Sequence, residues 1–134
     1  MMRLVAVSPD EVATVWPHVA AFIESACRRG PENDAADSMR EGCETGRFQL
    51  WLTGDQDGVI AAAVTGYRTI HDRKTCVWLA VGGLRMRDWH ALQEKIEAVA
   101  KAHGCVAMRS YSRPGMVRRM TDYRVKGVIL EKAI

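Results

Sequence analysis

The sequence predicts a mixed α/β (α+β) fold, one sheet with helices on both faces, and three stretches carry that reading. Residues 75–104, TCVWLAVGGLRMRDWHALQEKIEAVAKAHG, read as a strand, a glycine turn and an amphipathic helix closed by glycine. FQLWLTGDQDGVIAAAVTGY reads as two strands about a turn. SPDE, followed by apolar residues at helical spacing, reads as a helix start.

Residues 4–7 form a short first strand. Ser8, Pro9 and Glu11 then stand as the cap, first helical residue and third helical residue of a capping box. Val12, Val15, Trp16, Val19, Ile23, Ala26 and Cys27 line one face of a helix to about residue 29. Pro17 inside it should kink or split it, and Gly30-Pro31 stops it. Asn33 or Asp34 can cap a second, more polar helix that runs to Thr45 and closes at Gly46. Residues 48–52 and 59–70 are strands joined through Asp55-Gln56-Asp57-Gly58. His71-Asp72-Arg73-Lys74 turns the chain into a strand at 75–81, nearly continuously apolar, as a strand buried on both faces would be.

Gly82 and Gly83 then let the backbone turn sharply and approach a ligand closely. Asp88 can cap the next helix, in which Trp89, Leu92, Ile96, Val99 and Ala100 recur at helical spacing up to Gly104. Residues 105–110 are another strand. Ser112-Arg113-Pro114-Gly115 leads into a short helical segment, 116–120, and residues 124–132 form a last strand. The order is β-α-α-β-β-β-α-β-α-β, read as a single domain over residues 1–134 with no repeat or linker.

Composition sets the outer limits. With 48% apolar and 26% charged residues the chain has the make-up of an ordinary globular protein. No apolar run approaches the roughly 20 residues that span a bilayer, so the cytoplasm is the expected compartment. Cys27, Cys43, Cys76 and Cys105 each fall on an apolar face, without C-x-x-C spacing and without matching spacing from His18, His71, His90 or His103. They read as small buried hydrophobes, and no metal site is expected. Net charge is +3, yet residues 1–66 carry −5 and residues 109–134 carry +5. The back half therefore presents a positive field to a phosphorylated ligand, a nucleic acid or an acidic partner, or is simply a solvated basic face. Trp16, Trp51, Trp78 and Trp89 read as core packing, with one face about Trp51 covered by a helix or a partner chain.

The element order, the hairpin FQLWLTGDQDGVIAAAVTGY and the strand–turn–helix followed by GCVAMRS resemble the GNAT N-acetyltransferases. VWPHVAAFIE, FQLWL, AHGC and VILEKAI look most like small GNAT-like proteins of bacteriophages and prophages, a group that includes proteins similar to a podophage internal virion protein. The resemblance implies a mostly antiparallel sheet, an acetyl-CoA or CoA cofactor and acyl transfer to an amine. In that family the pyrophosphate sits on a Q/R-x-x-G-x-G/A loop. The matching region, Val81-Gly82-Gly83-Leu84-Arg85-Met86-Arg87-Asp88, departs from the pattern, its glycines falling directly after the strand. Val81, Gly82, Gly83, Arg85 and Arg87 are the cofactor contacts so implied, the arginines through charge-assisted hydrogen bonds. Asp88 at the cap would compete with an anion for the same amides.

The family often places a glutamate base near the fourth strand, but residues 75–81 hold no carboxylate, and His71 and Asp72 lie at the strand's beginning. His90, early in the helix, is nearer the expected cleft. The family's acidic tyrosine, which protonates the departing thiolate, aligns with Arg118, leaving Tyr123 and Tyr111 as substitutes by proximity. The chain shows one closing strand where most members have a hairpin.

Three functions stay open. One is an acetyl-CoA-dependent N-acetyltransferase using Tyr123, Tyr111 and His90. Another is a catalytically degenerate GNAT-fold component of a phage, virion-associated or acting in assembly, with phage structural proteins as partners. The third is a nucleic-acid binder built on Arg109, Arg113, Arg118, Arg119, Arg124 and Lys126, which no recognition motif supports. No pattern in the chain specifies the acceptor or the oligomeric state.

Overall fold

A computed structural model describes residues 3–29, 36–83, 89–112 and 114–134. Five strands lie side by side in chain order: β1 (Arg3–Val7), β2 (Phe48–Asp55), β3 (Gly58–Ile70), β4 (Arg73–Gly83) and β5 (Ala107–Ser110). The first four are antiparallel, and β5 runs parallel to β4. A parallel neighbour requires a crossover, which helix α3 (Trp89–Ala102) supplies.

Alternation along the strands sorts the core onto two faces. Leu50, Ala62, Val64 and Ala80 point to the side covered by α1 (Val12–Arg29) and α2 (Ala36–Glu44). Trp51, Ala61, Ala63 and Trp78 point to the side covered by Leu92 and Ile96 of α3. Leu50 and Trp51 are both buried, so both faces of β2 are covered within this chain.

Local chemistry explains most elements. Ser8 occupies the expected cap of a 3-10 turn, Pro9–Glu11, that leads into α1, but its hydroxyl bonds the Glu11 carboxylate at 3.2 Å and makes no bond to the helix amides. Val12, Trp16, Val19, Ile23 and Cys27 form the buried stripe of α1. Pro17 neither splits nor ends the helix; it lies on the exposed side, where water can satisfy the carbonyl left without an amide. The expected stop at Gly30-Pro31 and caps at Asn33 or Asp34 lie outside the described residues, while α2 closes at Gly46 with φ +80°. In the β2–β3 turn, Asp55 Oδ1 accepts from the Asp57 amide at 2.8 Å. His71 and Asp72 take φ of 50° and 64°, the left-handed pair of a tight two-residue hairpin. Gly104, at φ +87°, closes α3, and the Cys105 amide reaches back to the Ala100 carbonyl at 3.0 Å. Lys74 Nζ adds a bond of 2.6 Å to the His103 carbonyl, tying that end of α3 to the start of β4.

Three expectations are corrected. The Gly82-Gly83 pair is not a turn after the strand: β4 runs on through both, paired with Ala62 and Ala61 of β3. The reason is packing at a distance. A Cβ on Gly82 would collide with the Phe22 carbonyl of α1, and one on Gly83 would lie 2.5 Å from the Ala61 Cβ. The helical segment expected at 116–120 is a 3-10 turn, Pro114–Met116, followed by turns, because five residues behind Pro-Gly are too few to sustain an α-helix. Residues 124–132 form no strand. Their side chains suit one, but a strand requires a partner's hydrogen bonds, and none of the five strands supplies them.

All four cysteines are buried, and no disulfide joins them. Burial pushes the Cys43 thiol up to about 12 and the Cys76 thiol up to about 11, so both stay protonated and inert, as core residues.

Gly82→Ala is expected to destabilise the chain by about 1–3 kcal/mol through overpacking against α1, read as a lower urea midpoint. Gly104→Ala should cost about 1–2 kcal/mol through backbone strain alone.

Candidate functional site

β4 and β5 pair only from Thr75 opposite Ala107 to Trp78 opposite Ser110. Beyond Trp78 the strands part, and residues 79–83 of β4 have β3 on one side only. At the same point the β3–β4 register slips. Val64 faces Ala80 and Thr65 faces Trp78, so Leu79 has no residue opposite it and forms a bulge. The backbone groups of residues 79–83 that face away from β3 have no strand partner among the described residues. A fork thus opens at the centre of the sheet, with one edge able to hydrogen-bond an extended, amide-containing ligand.

A polar chain lies at the base of the fork. The Trp78 indole N–H donates to the Tyr123 hydroxyl at 3.0 Å, and that hydroxyl donates to Glu97 Oε2 at 2.5 Å. Gln93 Nε2 donates to the same oxygen at 3.2 Å. Gln93 and Glu97 are one helical turn apart on α3 and so face the sheet together. Gln93 is only 3% exposed, flanked by the core residues Leu92 and Ile96. Burial first, and the bond to Glu97 second, push the Tyr123 hydroxyl well above the ordinary tyrosine range; the Trp78 N–H offsets this in part. Tyr123 is therefore a neutral hydroxyl at physiological pH. Its ring packs beside Met120 against the cluster that holds Trp78, and its amide bonds the Met120 carbonyl at 3.0 Å. On the same face Trp51 Nε1 donates to Thr65 Oγ1 at 2.9 Å, while the buried Thr53 hydroxyl finds no partner among the described residues.

The structure gathers some of the sequence-derived site residues and separates others. Tyr123 stands at the fork. Tyr111, half-buried, follows Ser110 directly where β5 leaves β4. His90 is exposed on the first turn of α3. Val81 is packed against the Trp51–Trp78 cluster, and Gly82 and Gly83 carry the β4 edge. Arg85, Arg87 and Asp88 lie outside the described residues. Glu97 and Gln93 escaped the sequence reading. The available signal was a glutamine directly after a helix's buried apolar position with a glutamate one turn on, a pairing that surface helices also show.

Among the described residues no three of His, Cys, Asp and Glu stand together so as to hold a metal, and no helix is long and apolar enough to cross a membrane.

No protein-family model matches the chain, and no curated protein matches it in sequence. Solved structures resemble it in fold. An aminoglycoside acetyltransferase from an uncultured soil metagenomic sample superposes with a TM-score of 0.71 at 14% identity, over 100% of this chain and 97% of that one. A GNAT family acetyltransferase of Staphylococcus aureus gives 0.71 at 13% identity, over 99% and 98%. The acetyltransferase AAC(6')-Iy, in complex with a CoA-based bisubstrate analogue, gives 0.69 at 12% identity, over 100% and 99%. The five-stranded sheet, its parallel last pair and its crossover helix are the fold of the GNAT acetyltransferases.

Proposed function

We propose that residues 1–134 are one small GNAT-fold domain that transfers an acetyl group from acetyl-CoA to an amine, in the cytoplasm. The observation that carries this reading is the fork: an unpaired β4 edge opens where a half-buried, neutral tyrosine hydroxyl meets the last residue that β4 pairs with β5. The bisubstrate complex of AAC(6')-Iy, on the same fold, supports a CoA-type ligand and an amine acceptor.

Acetyl-CoA, when bound, supplies an acetyl group activated as a thioester. The chain's own residues supply the rest. The free amides and carbonyls of residues 79–83 suit the amides of a pantetheine-like arm, and Val81 gives that edge an apolar side chain. A free amide near the Leu79 bulge is a preorganised donor for an oxygen that gains negative charge. Gly82 and Gly83 contribute backbone only, since their missing side chains make room for α1 and β3. Arg85 and Arg87 complete the proposed contacts as phosphate partners. Tyr123 holds a proton at its hydroxyl, which is what a general acid for a departing thiolate must do, and Trp78 and Glu97 fix its position. Tyr111 and His90 are the further candidates for proton transfer, His90 as an exposed base at the start of α3.

Two observations favour a second reading, a non-catalytic GNAT-fold phage protein of the virion or its assembly. The Tyr123 hydroxyl is already engaged on both sides, and residues 81–88 depart from the family's phosphate loop. The two readings part on ligand binding. Acetyl-CoA at 100 times its Kd should stabilise the chain by about 2.7 kcal/mol, read as a raised Tm. No shift at millimolar acetyl-CoA or CoA rules out the transferase.

Tyr123→Phe tests the acid. Turnover with a diamine acceptor is expected to fall by about 10²-fold or more while KM for acetyl-CoA stays near its starting value. Folding stability should fall by about 1–3 kcal/mol. Because the folded-state pKa lies above the unfolded value of 10.0, this hydroxyl's contribution is complete below pH 10 and declines as the pH climbs beyond it. The stability gap between native chain and variant should therefore narrow above pH 10. A gap that widens there, or turnover left intact, removes Tyr123 from the proposed role.

A further inference from the structure

The Tyr123 hydroxyl carries one proton, and the bonds around it show where that proton points. The Trp78 indole has a donor and no acceptor, so the Tyr123 oxygen accepts from it, at 3.0 Å. Glu97 Oε2 accepts from Gln93 Nε2 at 3.2 Å and from the Tyr123 hydroxyl at 2.5 Å. The tyrosine proton is therefore committed to a carboxylate on α3 rather than to a ligand in the fork. A hydroxyl hydrogen serves one acceptor well at a time, so a thiolate in the fork has to compete with Glu97 for it. The same carboxylate has a second oxygen, Oε1, with no hydrogen-bond partner among the described residues. Glu97 and Tyr123 are both half-buried, so a proton can reach that oxygen from outside. Gln93, only 3% exposed, anchors the carboxyl beside the hydroxyl.

We propose, resting on the reading of the chain as an acetyltransferase with Tyr123 as its acid, that Glu97 is the second member of a proton relay. It acts through Tyr123, recharging the hydroxyl with the proton that the amine gives up. In the transfer, the amine nitrogen bonds to the thioester carbon, and the carbon–sulfur bond breaks with its electron pair left on sulfur. Sulfur takes the Tyr123 proton, and the tyrosine oxygen takes a proton from Glu97. Glu97 Oε1 takes the proton released by nitrogen, carried by water, and a half-turn of the carboxyl brings that proton round to the tyrosine oxygen. Both side chains end as they began, and no further reactant is consumed. Protonation at Oε1 also weakens Oε2 as an acceptor, because a neutral carboxyl holds a hydrogen bond less strongly than a carboxylate. The tyrosine proton is thus loosened at the stage when sulfur needs it.

The relay is tested by turnover of the full chain with acetyl-CoA and a diamine. Glu97→Gln keeps an oxygen to accept from the hydroxyl but cannot pass a proton, so kcat is expected to fall by about 10²-fold while KM for acetyl-CoA stays near its starting value. The indole N–H resonance of Trp78 should remain downfield in that variant, the mark of an indole still bonded to a hydroxyl in place. Glu97→Asp, which keeps a titrating carboxyl, should recover about tenfold of the loss. Added to Tyr123→Phe, Glu97→Gln should cost nothing more, since the two side chains act as a unit. Native turnover in Glu97→Gln, a loss accompanied by a Trp78 resonance moved to the free-indole position, or losses that multiply in the double variant would each overturn the relay and leave the acetyltransferase reading standing. A native chain that neither turns over nor gains stability from acetyl-CoA removes that reading instead, and the relay with it.

Discussion

Past Trp78, β4 keeps β3 but loses β5, and the rest of the molecule is arranged around that one-sided strand. On the paired side of the boundary, Trp78 is flanked by Thr65 and Ser110 and buries its indole under α3. On the other side, five residues hold an unshared edge in the middle of a sheet, where an unpaired backbone would otherwise be filled by a neighbour. The bulge at Leu79 falls at the same place, so both ladders are interrupted at one residue. Such an interruption has to be offset by the surroundings. Here α1 presses on Gly82 from one face, and the Trp51–Trp78 cluster fills the other.

How much of this was legible follows from the range of each interaction. The Asp55–Gly58 turn, the His71-Asp72 hairpin and the Gly104 cap are settled within a few residues and stand where the residues placed them, while Ser8 holds the expected cap position without the capping bond. The diglycine pair was read as a turn because glycine has one local meaning, conformational freedom. Its use here is long-range, since Phe22 lies sixty positions away in sequence. The same limit hid the site. Tyr123 meets Trp78 across 45 residues and Glu97 across 26, separations that leave no periodic trace. Residues 124–132 show the converse: strand propensity is local and was visible, whereas a strand exists only when another chain segment supplies its hydrogen bonds.

Tyr123 does two things in this architecture, and their chemistry is compatible. As a structural group it caps the Trp78 indole, which a buried N–H requires, and it satisfies Glu97. As a reactive group it is a half-buried O–H held neutral at the base of the fork, where β4 loses its second strand partner. Burial makes the network costly to leave half-made and also keeps the proton on the hydroxyl. Removing Glu97 from α3 would leave the hydroxyl without its acceptor, and Gln93, donating to the same oxygen, helps hold that carboxylate in place. The polar chain, the parting of β4 from β5 and the root of the segment 124–134 thus meet within one hydrogen-bonded group. The strand that parts from β4 stays joined to it at the fork's base, where Trp78 pairs with Ser110.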